Sequence, residues 1–252
     1  WVLWGVSIFG LIGIRRERTL YISIWYYIAA FLAVAMLYLF NNMEVPTMLF
    51  ADGAPSSFMH SISAYAGTND ALVEWWYGHN AVGFVFTVPI VAMIYYILPK
   101  ESGQNVFSYK LSILAFWGLL FVYLWAGGHH LIYSTVPDWM QTMGSVMSVI
   151  LILPSWGSAI NMLLTMKGEW NQLQTNPLIK FLVMASTFYM LSTIEGPIQA
   201  IKSVNAIAHF TDWIPGHVHD GVLGWVVFMI MAALFHMAPR MYKREIYSKS
   251  LM

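Results

Sequence analysis

The chain has 252 residues, of which 59% are hydrophobic and only 10% are charged, with a mean hydropathy of +0.62. Soluble domains carry about 25% charged residues, so this composition excludes an ordinary soluble domain and is typical of a polytopic membrane protein. The formal net charge is zero, so nothing favours nucleic acid as a partner. No cysteine is present, which excludes disulfides, thiolate catalysis and thiolate metal sites.

Seven apolar runs predict an all-α fold, a polytopic transmembrane helix bundle forming a single integral-membrane domain over residues 1–252. The predicted spans are residues 1–14, 19–40, 71–98, 109–133, 142–166, 178–201 and 217–239. The first run is too short to cross a membrane by itself. Because Trp1 already lies inside that run, we expect further residues to precede it.

The positive charges predict the orientation of these spans. With the spans placed as above, eleven of the twelve Lys and Arg residues fall on one side, and the exception is Lys202. The eleven are Arg15, Arg16, Arg18, Lys100, Lys110, Lys167, Lys180, Arg240, Lys243, Arg244 and Lys249. An excess of Lys and Arg marks the cytoplasmic face, so the Arg15–Arg18 loop and the C-terminal end are predicted to be cytoplasmic. The loops 41–70, 134–141 and 202–216 then face outward.

Five of the eight histidines lie in the outer part of three predicted spans. They are His79, His129, His130, His217 and His219. Histidine is rare inside membrane spans and mostly lines cavities or sites, which disfavours the alternative that these five are polar anchors. The other three, His60, His209 and His236, are interpreted as ordinary interfacial residues.

His79, His129 and His130 are candidates for a metal site that joins two helices. Neutral imidazole suits copper, iron and zinc, and three imidazoles with open positions suit a metal that binds a small molecule. Gly127 and Gly128, directly before the histidine pair, are expected to let the backbone bend and another group approach.

His217 and His219 have a different spacing. Positions two apart on a helix point in roughly opposite directions, so these histidines cannot easily share one metal. Each is expected to hold a separate planar cofactor, and haem iron with a histidine axial ligand fits this arrangement.

The segments "GHNAVGF", "YLWAGGHHLIY" and "PGHVHDG", in this order, resemble the catalytic subunit of the haem–copper terminal oxidases, most closely the C-family or cbb3-type. The similarity runs along most of the chain. A subunit of that family has twelve spans, and this chain resembles the fourth to the tenth. The resemblance therefore implies a helical bundle that represents the central portion of such a subunit.

The resemblance implies roles for the histidines. His79, His129 and His130 would hold the active-site copper, His217 the iron of a high-spin haem, and His219 the iron of a low-spin haem. Two b-type haems, one copper ion and calcium at the haem propionates are the implied cofactors. The second axial ligand of the low-spin haem is on an early span of the family that this chain lacks.

A tyrosine distinguishes the members of this superfamily. Most haem–copper oxidases carry it four positions after the first copper histidine, where this chain has Gly83. The C-family carries it on the next span, crosslinked to that histidine, and Tyr123 matches this place. Nitric oxide reductases lack the tyrosine and carry a glutamate at the place of Gly83. We therefore predict that Tyr123 is catalytic and that the substrate is oxygen.

Glu195 is a carboxylate within an apolar span. The resemblance implies that it supports His217 by accepting the other imidazole N–H. The alternative is an ion pair with Lys202 in the interface. Asp220 is expected to support the histidine pair or a haem propionate.

Protons for oxygen reduction would come from the inner side. Ser112 and Tyr123 are eleven residues apart, which places them nearly on one helix face. Tyr95 and Tyr96 lie near the inner end of the previous span. We predict a proton path through Ser112 and one of these two tyrosines to Tyr123.

The implied function is that of a respiratory oxidase in the bacterial inner membrane, reducing oxygen to water with electrons from cytochrome c and coupled to proton translocation. Its implied partners are membrane lipid, cytochrome c and oxidase subunits bearing haem c that dock on the outer face. Three alternatives remain open. They are a nitric oxide reductase, a non-catalytic membrane cytochrome of b type and a proton-coupled transporter that uses histidines as relays.

Overall fold

A computed structural model describes residues 1–46, 61–245 and Ser248 of the protein. Within these residues the helices are α1 (Val2–Gly13), α2 (Ile22–Asn41), α3 (Thr68–Ala81), α4 (Val88–Ser102), α5 (Tyr109–Ala126), α6 (Asp138–Thr165), α7 (Gln172–Thr175), α8 (Pro177–Gln199), α9 (Lys202–Ala208), α10 (Trp213–His219) and α11 (Phe228–Tyr242). His60, in the predicted outer loop, and Lys249, near the C-terminal end, lie outside the described residues.

Six continuous helices of the described part are long and apolar enough to cross a membrane. They cover Ile22–Asn41, Thr68–Ser102, Tyr109–Leu131, Asp138–Thr165, Pro177–Gln199 and Trp213–Tyr242. Their ends lie within about four residues of the predicted spans two to seven, which is the usual precision of such boundaries. The apolar helix α1 has 12 residues and is too short to cross alone, as predicted. The protein is therefore a multi-pass membrane protein of helical architecture.

Two loops contain structure that the sequence patterns did not predict. Strands β1 (Glu44–Pro46) and β2 (Ser61–Ser63) pair antiparallel in the predicted outer loop, so the described part is not purely helical. The loop predicted at 202–216 contains α9, and the last span begins at Trp213 rather than at 217. The hydroxyl of Thr211 accepts a hydrogen bond from the backbone N–H of Trp213 and so starts this span a turn earlier.

Three spans depart from α-helical geometry beside their histidines. A π-helical segment (Val82–Thr87) follows α3, a 3-10 turn (Gly127–Leu131) ends the span of α5, and a second π-helical segment (Asp220–Val227) follows α10. Pro89 lacks an N–H, so the regular helical hydrogen bond of its turn cannot form just after the first π segment. Irregular turns of this kind occur frequently at functional sites.

The packing order of the helices brings the two π segments together and sets the 3-10 turn against the helix that precedes the first of them. Helix α5 packs on α6, α6 on α8, and α8 on the second π segment and α11, while α2 packs on α4. The 3-10 turn contacts α3, and the two π segments contact each other. One end of the bundle is therefore formed by the three histidine motifs.

Candidate metal centre and its surroundings

His79, His129 and His130 form a compact cluster. One ring nitrogen from each histidine lies within 4.8 Å of the others. Nδ1 of His79 is 3.3 Å from Nε2 of His130, and the ring centroids of His129 and His130 are 4.3 Å apart. The predicted meeting of two spans at these three histidines is therefore confirmed.

Close backbone contacts hold the histidine pair against its neighbours. A Cβ at Gly127 would lie 2.7 Å from the carbonyl oxygen of Trp75, and one at Gly128 would lie 2.8 Å from that of Met140. Both distances are far below van der Waals contact, so glycine is required for the approach of α3 and α6. The Trp75 ring also stacks on His130 with centroids 4.2 Å apart. This stacking was not predicted.

The cluster fits a metal ion bound by imidazole. Nε2 of His79 is buried without a hydrogen-bond partner among the described residues. In that part of the chain the group holds three imidazoles and no carboxylate. A purely nitrogen donor set of this kind suits copper and disfavours magnesium or calcium.

Tyr123 lies beside the cluster in space that Gly83 leaves free. Its ring centroid is 4.7 Å from that of His79, with the planes inclined by 30°. A Cβ added at Gly83 would collide with the Tyr123 ring, which therefore fills the volume that a side chain at position 83 would need. Thr87, at the end of the first π segment, faces the Tyr123 hydroxyl. The tyrosine of the next span thus occupies the place beside position 83.

His217 and His219 differ in their surroundings, as their spacing predicts. His217 is half-buried, and its Nδ1 is 3.6 Å from Oε2 of Glu195. A Cβ at Gly196 would lie only 3.0 Å from Nε2 of His217, so glycine leaves room on that side of the ring. His219, in contrast, is exposed, and Asp220 is half-buried near His217.

Glu195 does not pair with Lys202. The Nζ of Lys202 is 2.5 Å from Oδ1 of Asp138 instead. Glu195 accepts a hydrogen bond from the indole N–H of Trp213 and faces His217. The alternative of an interfacial ion pair between Glu195 and Lys202 is therefore wrong, because Asp138, at the start of α6, is the acidic partner of Lys202.

The candidate proton-path residues are not equivalent. Tyr95 is buried, and its hydroxyl accepts a hydrogen bond of 3.2 Å from the side chain of Asn161. Tyr96 is 50% exposed, lies under the amino group of Lys100 and has its ring 6.2 Å from that of His236, so only Tyr95 of the pair is buried. Ser112 is fully buried, and its hydroxyl donates to the carbonyl of Tyr109 at 2.7 Å.

A row of buried polar side chains on α6 was missed. Its members are Ser148, Ser155, Ser158, Asn161 and Thr165. They recur at spacings of three, four or seven residues, so they share one helix face. That periodicity is visible in the sequence as a polar stripe in an otherwise apolar span, and it runs along α6 to Ser148, which contacts His129.

His236 is buried and paired with an acidic side chain. It is 4% exposed, and its Nδ1 is 2.5 Å from Oε1 of Glu101, which also accepts from Arg240 at 3.0 Å. The sequence did not predict this partner, because Glu101 comes from the end of α4, far away in sequence, and the interfacial interpretation of His236 stays a prediction. His209 directly follows α9, and its Nδ1 is 3.2 Å from the side-chain oxygen of Asn205.

Comparison with known families identifies the family of the chain. The family model described as "Cytochrome C and Quinol oxidase polypeptide I" matches residues 1–252. The chain belongs to this family. Membership implies haem and copper, and it confirms the resemblance on which the histidine motifs were interpreted.

Curated relatives within the family are similar along the whole chain. The cbb3-type cytochrome c oxidase subunit CcoN1 of Stutzerimonas stutzeri is 47% identical over 245 residues, which is 97% of this chain and 50% of that protein. Cytochrome c oxidase subunit 1 of Rhodobacter capsulatus is 45% identical over 252 residues, which is 100% of this chain and 46% of that protein. The chain thus spans about half the length of the curated relatives it matches.

A solved structure has the same fold. A cryo-EM structure of a haem–copper terminal oxidase dimer aligns with a TM-score of 0.67 over 86% of this chain and 40% of that one, at 19% sequence identity. This likeness confirms the polytopic helical bundle.

Proposed function

We propose that the chain forms the haem–copper core of a cbb3-type terminal oxidase that reduces oxygen to water with electrons from cytochrome c, coupled to proton translocation. The observation that carries this proposal is the position of Tyr123, whose ring lies beside His79 in the space left by Gly83. A nitric oxide reductase would carry a glutamate at position 83, and the Tyr123 ring leaves no room for one. A non-catalytic b-type cytochrome would have no use for three clustered imidazoles.

The five histidines of the site would bind three different metal ions. His79, His129 and His130 would hold copper, His217 the iron of a high-spin b-type haem, and His219 the iron of a low-spin b-type haem. When bound, the copper and the high-spin haem supply the binding positions and electrons for oxygen reduction. The half-buried His217 and the exposed His219 lie on opposite sides of α10, which supports two separate haems. Calcium at the haem propionates rests on the resemblance alone.

Tyr123 would act as a proton donor from its hydroxyl oxygen. A phenol beside the metals also has an electron to give, which suits cleavage of the O–O bond. Thr87 faces this hydroxyl and would orient it. The Tyr123 ring centroid is 4.7 Å from that of His79, which supports the crosslink that the family resemblance implies between these two side chains.

Glu195 and Asp220 would orient His217. Nδ1 of His217 is buried without a hydrogen-bond partner among the described residues, and Glu195 Oε2, at 3.6 Å, is a nearby carboxylate oxygen that would accept its N–H after a small shift. Such a partner fixes the orientation of the ring and raises its basicity as an iron ligand. Asp220 lies near the same ring and would serve His217 or a haem propionate.

Protons would reach Tyr123 through Tyr95 and Ser112. Tyr95 is the buried member of the pair Tyr95 and Tyr96. The hydrogen bond that it accepts from Asn161 connects it to the polar row on α6. Ser112 is fully buried on the helix that carries Tyr123. Its hydroxyl oxygen can accept a second hydrogen bond while donating to the backbone, as a relay requires.

We expect Tyr95→Phe in the complete oxidase to lower turnover on the order of 10²-fold, because it removes a proton-carrying hydroxyl from the path. Tyr96→Phe is the matched control and should keep wild-type turnover, since Tyr96 is half exposed and its described contacts, with Lys100 and His236, are made by the ring, which phenylalanine keeps. Oxygen consumption in membranes measures both. Equal turnover in Tyr95→Phe and wild type would remove Tyr95 from the path.

The protein is proposed to lie in the bacterial inner membrane with the Arg15–Arg18 loop and the C-terminal end in the cytoplasm. Subunits bearing haem c would then dock on the opposite, outer face, and lipid would surround the bundle. These 252 residues contain no cysteine, so labelling above that of the unsubstituted protein reports on an introduced one: a cysteine at Lys167 should resist a membrane-impermeant maleimide, and one at Asp212 should react. The reverse labelling pattern would contradict the orientation.

Metal analysis of the purified complete protein tests the proposed function. Two b-type haems and one copper per copy of this chain are expected, counted separately from the haem c of the partner subunits. A proton-coupled transporter would contain neither metal, and a non-catalytic cytochrome would contain iron without copper.

A further inference from the structure

Ser148 of α6 contacts a proposed copper ligand from a different helix. Its Oγ is 2.5 Å from Nδ1 of His129 and 2.6 Å from the carbonyl oxygen of Gly144. Ser148 is 2% exposed, so water does not compete for either contact. The contact exists because α6 approaches closely at Gly144, where any Cβ would collide with the backbone N of His129.

The two contacts determine where the hydrogens lie. A serine hydroxyl has one hydrogen to donate and two lone pairs that accept. The carbonyl oxygen of Gly144 is only an acceptor, so the Ser148 hydrogen points to it. Oγ then has only lone pairs to offer to His129, and the hydrogen of that contact must come from Nδ1. His129 is thereby fixed as the tautomer that carries its proton on Nδ1 and its free lone pair on Nε2.

We propose that Ser148 is a positioning residue that selects the tautomer of His129 and presents Nε2 to the copper. This inference rests on the proposed function, because it assigns a supporting contact within the same site. A histidine ligand generally donates its other ring N–H to an acceptor, and loss of that acceptor typically lowers metal affinity by 10–100-fold. No other hydrogen-bond partner of His129 is found among the described side chains, so Ser148 is the acceptor on which the ligand depends.

The test is copper retention in the complete, purified oxidase. Copper is measured per haem after incubation with increasing bathocuproine disulfonate, which binds Cu(I). We expect Ser148→Ala and Ser148→Val to release copper at 10–100-fold lower chelator concentration than wild type. Ser148→Thr keeps the hydroxyl and should stay close to wild type, although it adds the same bulk as valine.

Ser145→Ala is the control on the same helix. Its hydroxyl also donates to the carbonyl four residues earlier, at 3.0 Å from Gln141, but it has no hydrogen bond to any of the seven histidines that the structure describes. Copper retention in this variant should equal wild type. Copper retention and not thermal unfolding is the deciding measurement, because Ser148→Val also leaves the buried N–H of His129 without an acceptor and would unfold earlier for that reason alone.

Two outcomes would overturn the inference. One is wild-type copper retention in Ser148→Ala. The other is equal copper loss in Ser148→Thr and Ser148→Val, which would mean that the added bulk and not the hydroxyl matters. A wild-type oxidase without copper would contradict the proposed function itself, and this inference with it.

Discussion

Replacing Tyr123 with phenylalanine is expected to lower oxygen turnover by on the order of 10²–10⁴-fold, the usual effect of removing a general acid. The ring would remain beside His79, so the packing around the cluster is kept while the hydroxyl is lost. Copper and haem content should be unchanged. Oxygen consumption and metal analysis of the same purified preparation measure the two effects.

Tyr77→Phe is the matched control for this prediction. Tyr77 lies on α3, two residues before His79, and its ring packs against Tyr38 rather than the cluster. Wild-type turnover is expected in this variant. If Tyr123→Phe retained copper and also kept wild-type turnover, Tyr123 would have no part in the chemistry.

Gly83→Ala is expected to reduce turnover as strongly as Tyr123→Phe, for a steric reason. The added Cβ would collide with the Tyr123 ring and displace it from His79. Overpacking of this kind costs about 1–3 kcal/mol of stability, so the unfolding midpoint should fall as well. Turnover and thermal unfolding of the purified oxidase measure both effects.

A second substitution separates the steric effect from the chemical one. In the Gly83→Ala background, Tyr123→Ala removes the colliding ring and should restore part of the lost stability without restoring turnover. Gly78→Ala is the control on the same span, because its Cβ would meet the Trp75 ring at 3.4 Å, an ordinary contact. Full activity in Gly83→Ala would show that Tyr123 does not need the space at position 83.

The histidine cluster and the helical bundle could be predicted because each follows from a local pattern. Apolar runs of about 20 residues must form spans, and histidines inside them need a polar role. Side chains two residues apart on a helix point in roughly opposite directions, so the spacing of His217 and His219 alone predicts that they bind different groups. The resemblance of the three motifs then assigned a role to each histidine.

The contacts between distant helices could not be predicted in the same way. Ser148 meets His129, and Glu101 meets His236, only because of how the helices pack. The polar stripe of α6 indicates which face is buried, but not which histidine it reaches. Tyr95 and Tyr96 are adjacent in sequence, and only the packing of α4 distinguishes the buried one from the exposed one.

The measurement that tests the central claim most directly is the carbon monoxide difference spectrum of the reduced, purified oxidase, combined with copper analysis. The proposed function predicts that one of the two b-type haems binds carbon monoxide, because the iron that His217 would hold would keep an open position, and that one copper is present per copy of this chain. A spectrum with little carbon monoxide shift, or a protein without copper, would contradict a haem–copper centre at His79, His129 and His130.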